Sequence, residues 1–313
     1  MSKETSSQNQ VRKWSKLSKN TYRGRFAPSP TGDLHLGSLT AAIISYLQAR
    51  VNNGLWLLRI EDIDETRNIA GADLQIIKTL NRFGLHSDED VLYQTSEQRQ
   101  VAYQNAYQFL ESNKLTYRCI CTRKQLAGLS TYPNTCRNQS HPIDSLHSTR
   151  VKTTHQFFEF EDLFQGHQVQ NIAEQSGDFN IKRKDGLFCY QLAVVIDDAD
   201  QGITEVVRGT DIMDSTSRQM YLIKQLNLAQ PKYAHFPILV NLEGMKLSKQ
   251  NHSKAITHED PYETTRLVLK LLGQHPPNLK QKTQSALLNW AIENWQPEKL
   301  FKQAKITNCH QSP

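Results

Sequence analysis

The chain has no long uninterrupted apolar run among its 313 residues, and none approaches the roughly 20 residues that a membrane helix needs. A soluble protein with no membrane partner is therefore expected. The opening stretch "MSKETSSQNQVRKWSKLSKN" carries basic residues but lacks the apolar centre and small-residue cleavage site of a secretion signal, so it reads as a flexible polar tail on a cytoplasmic protein. Cysteine is scarce and odd in number, with five residues: Cys119, Cys121, Cys136, Cys189 and Cys309. Without a secretion signal this excludes a disulfide-stapled scaffold and implies reduced thiols. Internal repeats are absent, and so is low complexity beyond the tail, which removes solenoids and arrays. Neither charge sign dominates, since 37 Lys and Arg against 31 Asp and Glu leave a formal +6. That modest excess suits a polyanionic partner but does not identify one. A hydrophobic content of 38% is enough for a folded core.

Pattern changes then give the organisation. "YRGRFA" reads as a short strand, and the following stretch places Leu36, Leu39, Ile43, Leu47 and Val51 at helical spacing before Asn52, Asn53 and Gly54 end it. "GLWLLRIEDID" is a buried strand breaking into acids, which completes a β-α-β unit of the parallel-sheet kind. The pattern predicts a helix over Thr95 to Lys114, then a polar, irregular region to Lys184 that contains three of the cysteines. "LFCYQLAVVIDDADQGITEVVRGTDI" is expected to form apolar strands with acids at their ends, placing Cys189 in a strand, and "YAHFPILVNLEGMKLSKQN" a further strand and a Lys-rich loop. Two helices, in "YETTRLVLKLLG" and "TQSALLNWAIENW", close the chain. The expected division is a tail (1–20), the first half of a Rossmann-like α/β domain (21–94), an insertion (95–184), the second half (185–258) and a short helical part (259–313).

Three motifs carry chemistry. In "RFAPSPTGDLHLGS", Pro28, Pro30 and Gly32 shape a tight strand-to-helix loop, Gly37 permits close approach, and His35 sits where helix N–H groups face anions. In "MKLSKQN", Lys246 and Lys249 flank Ser248 in a loop that could cover polyphosphate. The same K-L-S-K string at Lys16 to Lys19 lies in the polar tail with no strand before it, and has no such context. "CICTRKQLAGLSTYPNTC" gathers Cys119, Cys121 and Cys136, which suits tetrahedral zinc if Tyr132, His141 or water supplies a fourth ligand.

R-F-A-P-S-P-T-G, H-L-G-S, R-I-E-D-I-D-x-T-R at Arg59 to Arg67, V-V-R-G-x-D at Val206 to Asp211 and K-L-S-K, in that order, closely resemble the class I glutamyl and glutaminyl aminoacyl-tRNA synthetases. The resemblance runs over roughly 23–258, and Ser38 stands where the family often has a second histidine. It implies a glutamate pocket of Arg25, Phe26, Ala27, Pro28, Ser29, Glu61, Tyr190 and Arg208. In that pocket arginines meet the carboxylates and Glu61 the ammonium. It implies ATP contacts from His35, Gly37, Ser38 and Lys249, and catalysis by His35, Lys246 and Lys249 with ATP as its magnesium complex. The cysteine pattern, and the absence of room after 258 for an anticodon-reading domain, resemble the glutamyl-queuosine tRNA(Asp) branch of the family. That branch implies one structural zinc held by Cys119, Cys121, Tyr132 and Cys136. It also implies a monomeric ligase-type enzyme that activates L-glutamate with ATP, without needing tRNA, and places it on the queuosine of tRNA(Asp). An ordinary glutamyl-tRNA synthetase charging the 3′ end and a non-catalytic tRNA-binding paralogue are the alternatives.

Overall fold

The computed structural model describes residues 21–142, 144–247 and 254–308; Ser248, Lys249, the tail copy of K-L-S-K and Cys309 lie outside the described residues. Strand β1 (Arg23–Phe26) runs into helix α1 (Leu36–Val51) and returns as β2 (Leu55–Ile60), parallel to β1 with Arg23 opposite Leu55 and Phe26 opposite Leu58. Leu39, Ala42, Ile43, Ile44 and Leu47 of α1 are all fully buried, because the helix is covered by the sheet on one side and by the carboxy-terminal helices on another. Helix α2 (Ala72–Arg82) and strand β3 (Leu92–Tyr93), parallel to β2, finish the first half.

Helix α3 (Glu97–Ser112) follows, then β4 (Thr116–Cys119) and β5 (Ser148–Val151). A hairpin of β6 (Phe157–Asp162) and β7 (Gly166–Asn171) leads through the short helix α4 (Ile172–Gln175) to β8 (Asn180–Lys182). Strands β4, β5 and β8 form a small antiparallel sheet of their own. The hairpin does not join it. β6 instead pairs in parallel with a later strand, β10 (Lys232–Phe236), so part of the region read as an insertion belongs to a sheet built from the second half of the chain.

Helix α5 (Tyr190–Asp200), strand β9 (Glu205–Gly209), helix α6 (Thr216–Gln225) and strands β10 (Lys232–Phe236) and β11 (Ile238–Val240) follow. Helices α7 (Pro261–Leu271) and α8 (Gln284–Glu293) and strand β12 (Lys305–Thr307) complete the described chain. The α5 segment corrects the expectation of strands. Every residue from Leu192 to Asp198 is buried, so the helix shows no polar stripe and its apolar run mimics a central strand. Cys189 accordingly caps a helix instead of lying in a strand, and burial pushes its thiol up to about 12.

β9 lies beside β1, tied by the Thr204 N–H to the Arg23 carbonyl at 3.0 Å and by Arg25 Nη1 to the Val207 carbonyl at 3.2 Å. From this junction the strand order runs outward through β2 and β3 on one side and through β10, β6 and β7 on the other. Such a reversal opens a crevice at the carboxyl ends of the two central strands, the usual ligand position in open α/β sheets. No described helix is long and apolar enough to cross a membrane. Because Leu39 is completely enclosed at the α1 interface, Leu39→Ala should lower unfolding free energy by about 2–5 kcal/mol, read from urea denaturation.

Candidate active site

His35 is the N-cap of α1, with extended backbone, and its ring Nδ1 accepts the Ser38 N–H at 3.2 Å. Ser38 Oγ in turn accepts the His35 N–H at 2.8 Å, closing a reciprocal capping box. Two consequences follow. Nδ1 is an acceptor, so the neutral ring carries its proton on Nε2, the orientation needed to donate to a phosphoryl oxygen. The Ser38 hydroxyl is engaged in the cap, which gives serine a definite task at the position where the family often has histidine. Gly37 is required for a separate reason, since a Cβ there would stand 2.8 Å from the Leu247 carbonyl. On the far side of 248–253, Ala255 bridges His35, and the Ile256 N–H donates to the Leu34 carbonyl at 3.0 Å. Both flanks of the K-L-S-K loop thus lie against the H-L-G-S turn. Lys246 Nζ, half-exposed, is 2.5 Å from Asp211 Oδ2.

The glutamate-pocket residues expected from sequence converge on the crevice from four elements. Arg25 lies near the end of β1, Glu61 immediately after β2, Arg208 in β9 and Tyr190 at the first turn of α5. Arg25 is buried and grips Asp198 through Nε (3.0 Å) and Nη2 (3.3 Å). Arg59, fully buried, reaches the same carboxylate through Nη2 at 2.6 Å and passes within 3.7 Å of Glu61. Arg208 donates from Nε to His235 Nε2 (2.9 Å), from Nη1 to Gln219 (2.6 Å) and from Nη2 to Thr216 (2.8 Å). Each guanidinium has five N–H donors, so three bonds fix Arg25 and Arg208 in place and leave donors on the terminal nitrogens for a carboxylate. Phe26 closes β1 against the core, while the Glu61 N–H to Pro28 carbonyl bond (3.0 Å) ties the Ala27 to Ser29 turn to the end of β2.

The charges explain the acidities. Burial pushes the Glu61 carboxyl up to about 7; Arg59 and Arg25 oppose this, while Asp197 and Asp198 add to it. Asp198 is also penalised by burial, but Arg25 and Arg59 hold it below the usual carboxylate range. Burial and the nearby Glu61 raise the Tyr190 hydroxyl, keeping it a neutral donor. Sequence reading missed Arg59, Asp197, Asp198, Asp162 and His235 as parts of this site. For Arg59, Asp197 and Asp198 the available signal was charge inside apolar runs, in "LLRIED" and "VVIDDAD".

Where β4 ends at Cys119 and its following loop begins, the Sγ atoms of Cys119, Cys121 and Cys136 all lie within 4.8 Å of one another. Cys121 and Cys136 are 3.6 Å apart, and Tyr132 Oη is 3.3 Å from Cys119 Sγ and 3.5 Å from Cys121 Sγ. A tetrahedral zinc with ordinary bond lengths would set S···S edges of roughly 3.8 Å and S···O edges of roughly 3.5 Å, so the donor set fits that metal. Burial opposes ionisation of Cys119, but its contacts with Tyr132 and Arg150 draw the thiol down to about 7. Among the described residues the cluster contains the three cysteines without His141. A cavity of about 460 Å³, lined by Tyr132, Arg150, Gln191 and Arg218 among others, does not include Arg25, Glu61 or Arg208.

Comparisons with known proteins identify the family. The family model for "tRNA synthetases class I (E and Q), catalytic domain" matches residues 21–289. A glutamyl-Q tRNA(Asp) synthetase of Pectobacterium atrosepticum is 46% identical over 88% of this chain and 85% of its own length. One from Pseudomonas aeruginosa is 42% identical over 92% of this chain and 98% of its own. Among solved structures, a glutamate-tRNA synthetase from Elizabethkingia anophelis superposes with a TM-score of 0.76 at 23% identity, covering 93% of this chain and 68% of that one, which is a likeness of fold. The chain belongs to the class I tRNA synthetases for E and Q, and within them to the glutamyl-Q tRNA(Asp) synthetases.

Proposed function

We propose that the chain activates L-glutamate with ATP, without requiring tRNA, and transfers the glutamyl group to queuosine in tRNA(Asp). The observation that carries the first half is the convergence of Arg25, Arg208 and Glu61 at the switch point of the sheet, two cations and one anion for a substrate with two carboxylates and one ammonium. The names of the close relatives support the second half. In this reading a glutamate α-carboxylate oxygen attacks the α-phosphorus of ATP, which enters as its magnesium complex. The bond to the bridging oxygen breaks, and pyrophosphate leaves with its electron pair. His35 donates from Nε2 to the phosphates. Lys246 exchanges Asp211 for pyrophosphate oxygens, and Lys249, outside the described residues, joins it on that charge. A ring hydroxyl of queuosine then attacks the glutamyl-adenylate carbonyl, releasing AMP. The direct test is a charging assay with tRNA(Asp) lacking its 3′ adenosine. Glutamate should still be incorporated when queuosine is present and should not be when the transcript is unmodified. Charging of unmodified tRNA(Glu) at its 3′ end would favour the ordinary synthetase instead.

Glu61 gives this reading a pH signature. It must be ionised to receive the substrate ammonium, and its carboxyl sits at about 7, so kcat/KM for glutamate should rise as pH climbs through about 7 and level off above it. Glu61→Gln should flatten that limb and raise KM for glutamate while leaving KM for ATP in place.

The metal is proposed as zinc, with Cys119, Cys121, Tyr132 and Cys136 as its ligands. Bound there, it supplies structure, cross-linking β4 to the loop that follows. Elemental analysis of protein purified without chelator should find one zinc per chain. Cys136→Ser should lower that content and the stability of the small sheet while leaving glutamate activation largely intact.

A further inference from the structure

We infer that Asp162 and His235 act as a positioning pair for Arg208, fixing its guanidinium by presenting an imidazole lone pair to Nε–H. The inference rests on the reading that Arg208 meets a glutamate carboxylate. His235 and Arg208 are register partners on the neighbouring parallel strands β10 and β9. Both are buried, at 0% and 5% exposure, so neither has solvent as an alternative partner. Arg208 Nε can only donate, and it points at His235 Nε2 from 2.9 Å, so Nε2 must be the unprotonated nitrogen. The ring proton is therefore on Nδ1, which lies 2.5 Å from Asp162 Oδ2. Had Nε2 carried a proton, two donors would face each other in a dry site.

Asp162 is itself held rigidly. Its Oδ1 accepts the backbone N–H groups of Phe164 (3.1 Å), Gln165 (3.0 Å) and His235 (3.0 Å), which turns Oδ2 toward the ring. Burial lowers the basicity of His235, Asp162 opposes this, and the nearby Arg208 and Arg25 lower it further, in keeping with a neutral ring. Asp162 ends β6, in the region read from sequence as an insertion, so the β6–β7 hairpin reaches the substrate pocket through this carboxylate and this ring.

The arrangement makes an isosteric substitution informative. In Asp162→Asn the three backbone donors keep the amide oxygen where Oδ1 stands, so the NH₂ group faces Nδ1 and forces the proton onto Nε2. Arg208 then loses its acceptor. In glutamate-dependent ATP–pyrophosphate exchange, KM for glutamate should rise roughly 10- to 100-fold, the usual scale for a group acting from behind a ligand-binding residue, with KM for ATP and the melting temperature nearly unchanged. His235→Gln can place an amide oxygen where Nε2 stands and should stay within about three-fold of the parent, the scale of one neutral hydrogen bond, whereas His235→Leu should lose glutamate affinity as Asp162→Asn does. In the unsubstituted protein, ¹⁵N spectra of His235 should show the Nδ1–H tautomer, a readout that needs no variant to fold. An Nε2–H tautomer, an unchanged glutamate KM in Asp162→Asn, equal losses for glutamate and ATP, or a Gln variant as poor as the Leu variant would each overturn the pair. A parent with no glutamate-dependent exchange would instead sink the glutamate reading, leaving the tautomer to judge the pair by itself.

Discussion

The carboxylate of Asp198 is the constraint on which the rest of the site depends. It sits on α5 between two buried guanidiniums, Arg25 from β1 and Arg59 from β2, and receives bonds from both. Burying two arginines side by side without an anion would be prohibitive, and removing one partner from such a buried group typically costs about 3–5 kcal/mol. The benefit is geometric more than energetic, because Asp198 fixes α5 against the junction of β1 and β9. That placement brings Tyr190, at the start of the same helix, within the electrostatic reach of Glu61, Arg208 and Arg25. The neighbouring Asp197 does the equivalent for α3, accepting from Gln94, Arg99 and Tyr103 at 2.8 Å each. Two consecutive acids on one helix thus connect both halves of the catalytic layer and the region between them. Burial at this junction raises Glu61 toward neutrality, with Asp197 and Asp198 adding to it against Arg59 and Arg25, so the architecture that orders the arginines also sets the acidity of the group proposed to receive the substrate ammonium.

What the sequence disclosed follows from how local each signal was. The strand, helix and strand from Arg23 to Ile60 are contiguous, and their periodicity and caps are readable in one window. The cysteine cluster was legible because Cys119 to Cys136 lie close together in the chain, with Tyr132 four residues from the last of them. Arg25 was legible only through resemblance. Its partner Asp198 is 173 positions away, and no local pattern announces such a pair. Helix α5 misled for a related reason, since a helix packed on all sides has lost the polar face by which helices are recognised. The β6–β7 hairpin could not be placed because pairing with β10 is a tertiary choice, and its mixed polar pattern is equally compatible with the small β4–β5–β8 sheet.

The replacement of a second histidine by Ser38 illustrates how such a site tolerates change. In the proposed mechanism the requirement at this turn is a donor aimed at the phosphates from the amino end of α1, where helix N–H groups already favour anions. The capping box supplies the aim. By accepting at Nδ1, the His35 ring is committed to carrying its proton on Nε2, and by accepting the His35 N–H, Ser38 holds the backbone that sets the ring's direction. A second imidazole would add another donor, but serine here strengthens the orientation of the first. The close approach at Gly37 extends the same logic to the K-L-S-K loop. With the Leu247 carbonyl against Gly37 and Ala255 against His35, the described residues on either side of 248–253 are both anchored on the H-L-G-S turn, the turn proposed to face the phosphates. The proposed catalysis by positioning requires that the two motifs share a support, and the contacts of Leu247 and Ala255 supply one at the first turn of a single helix.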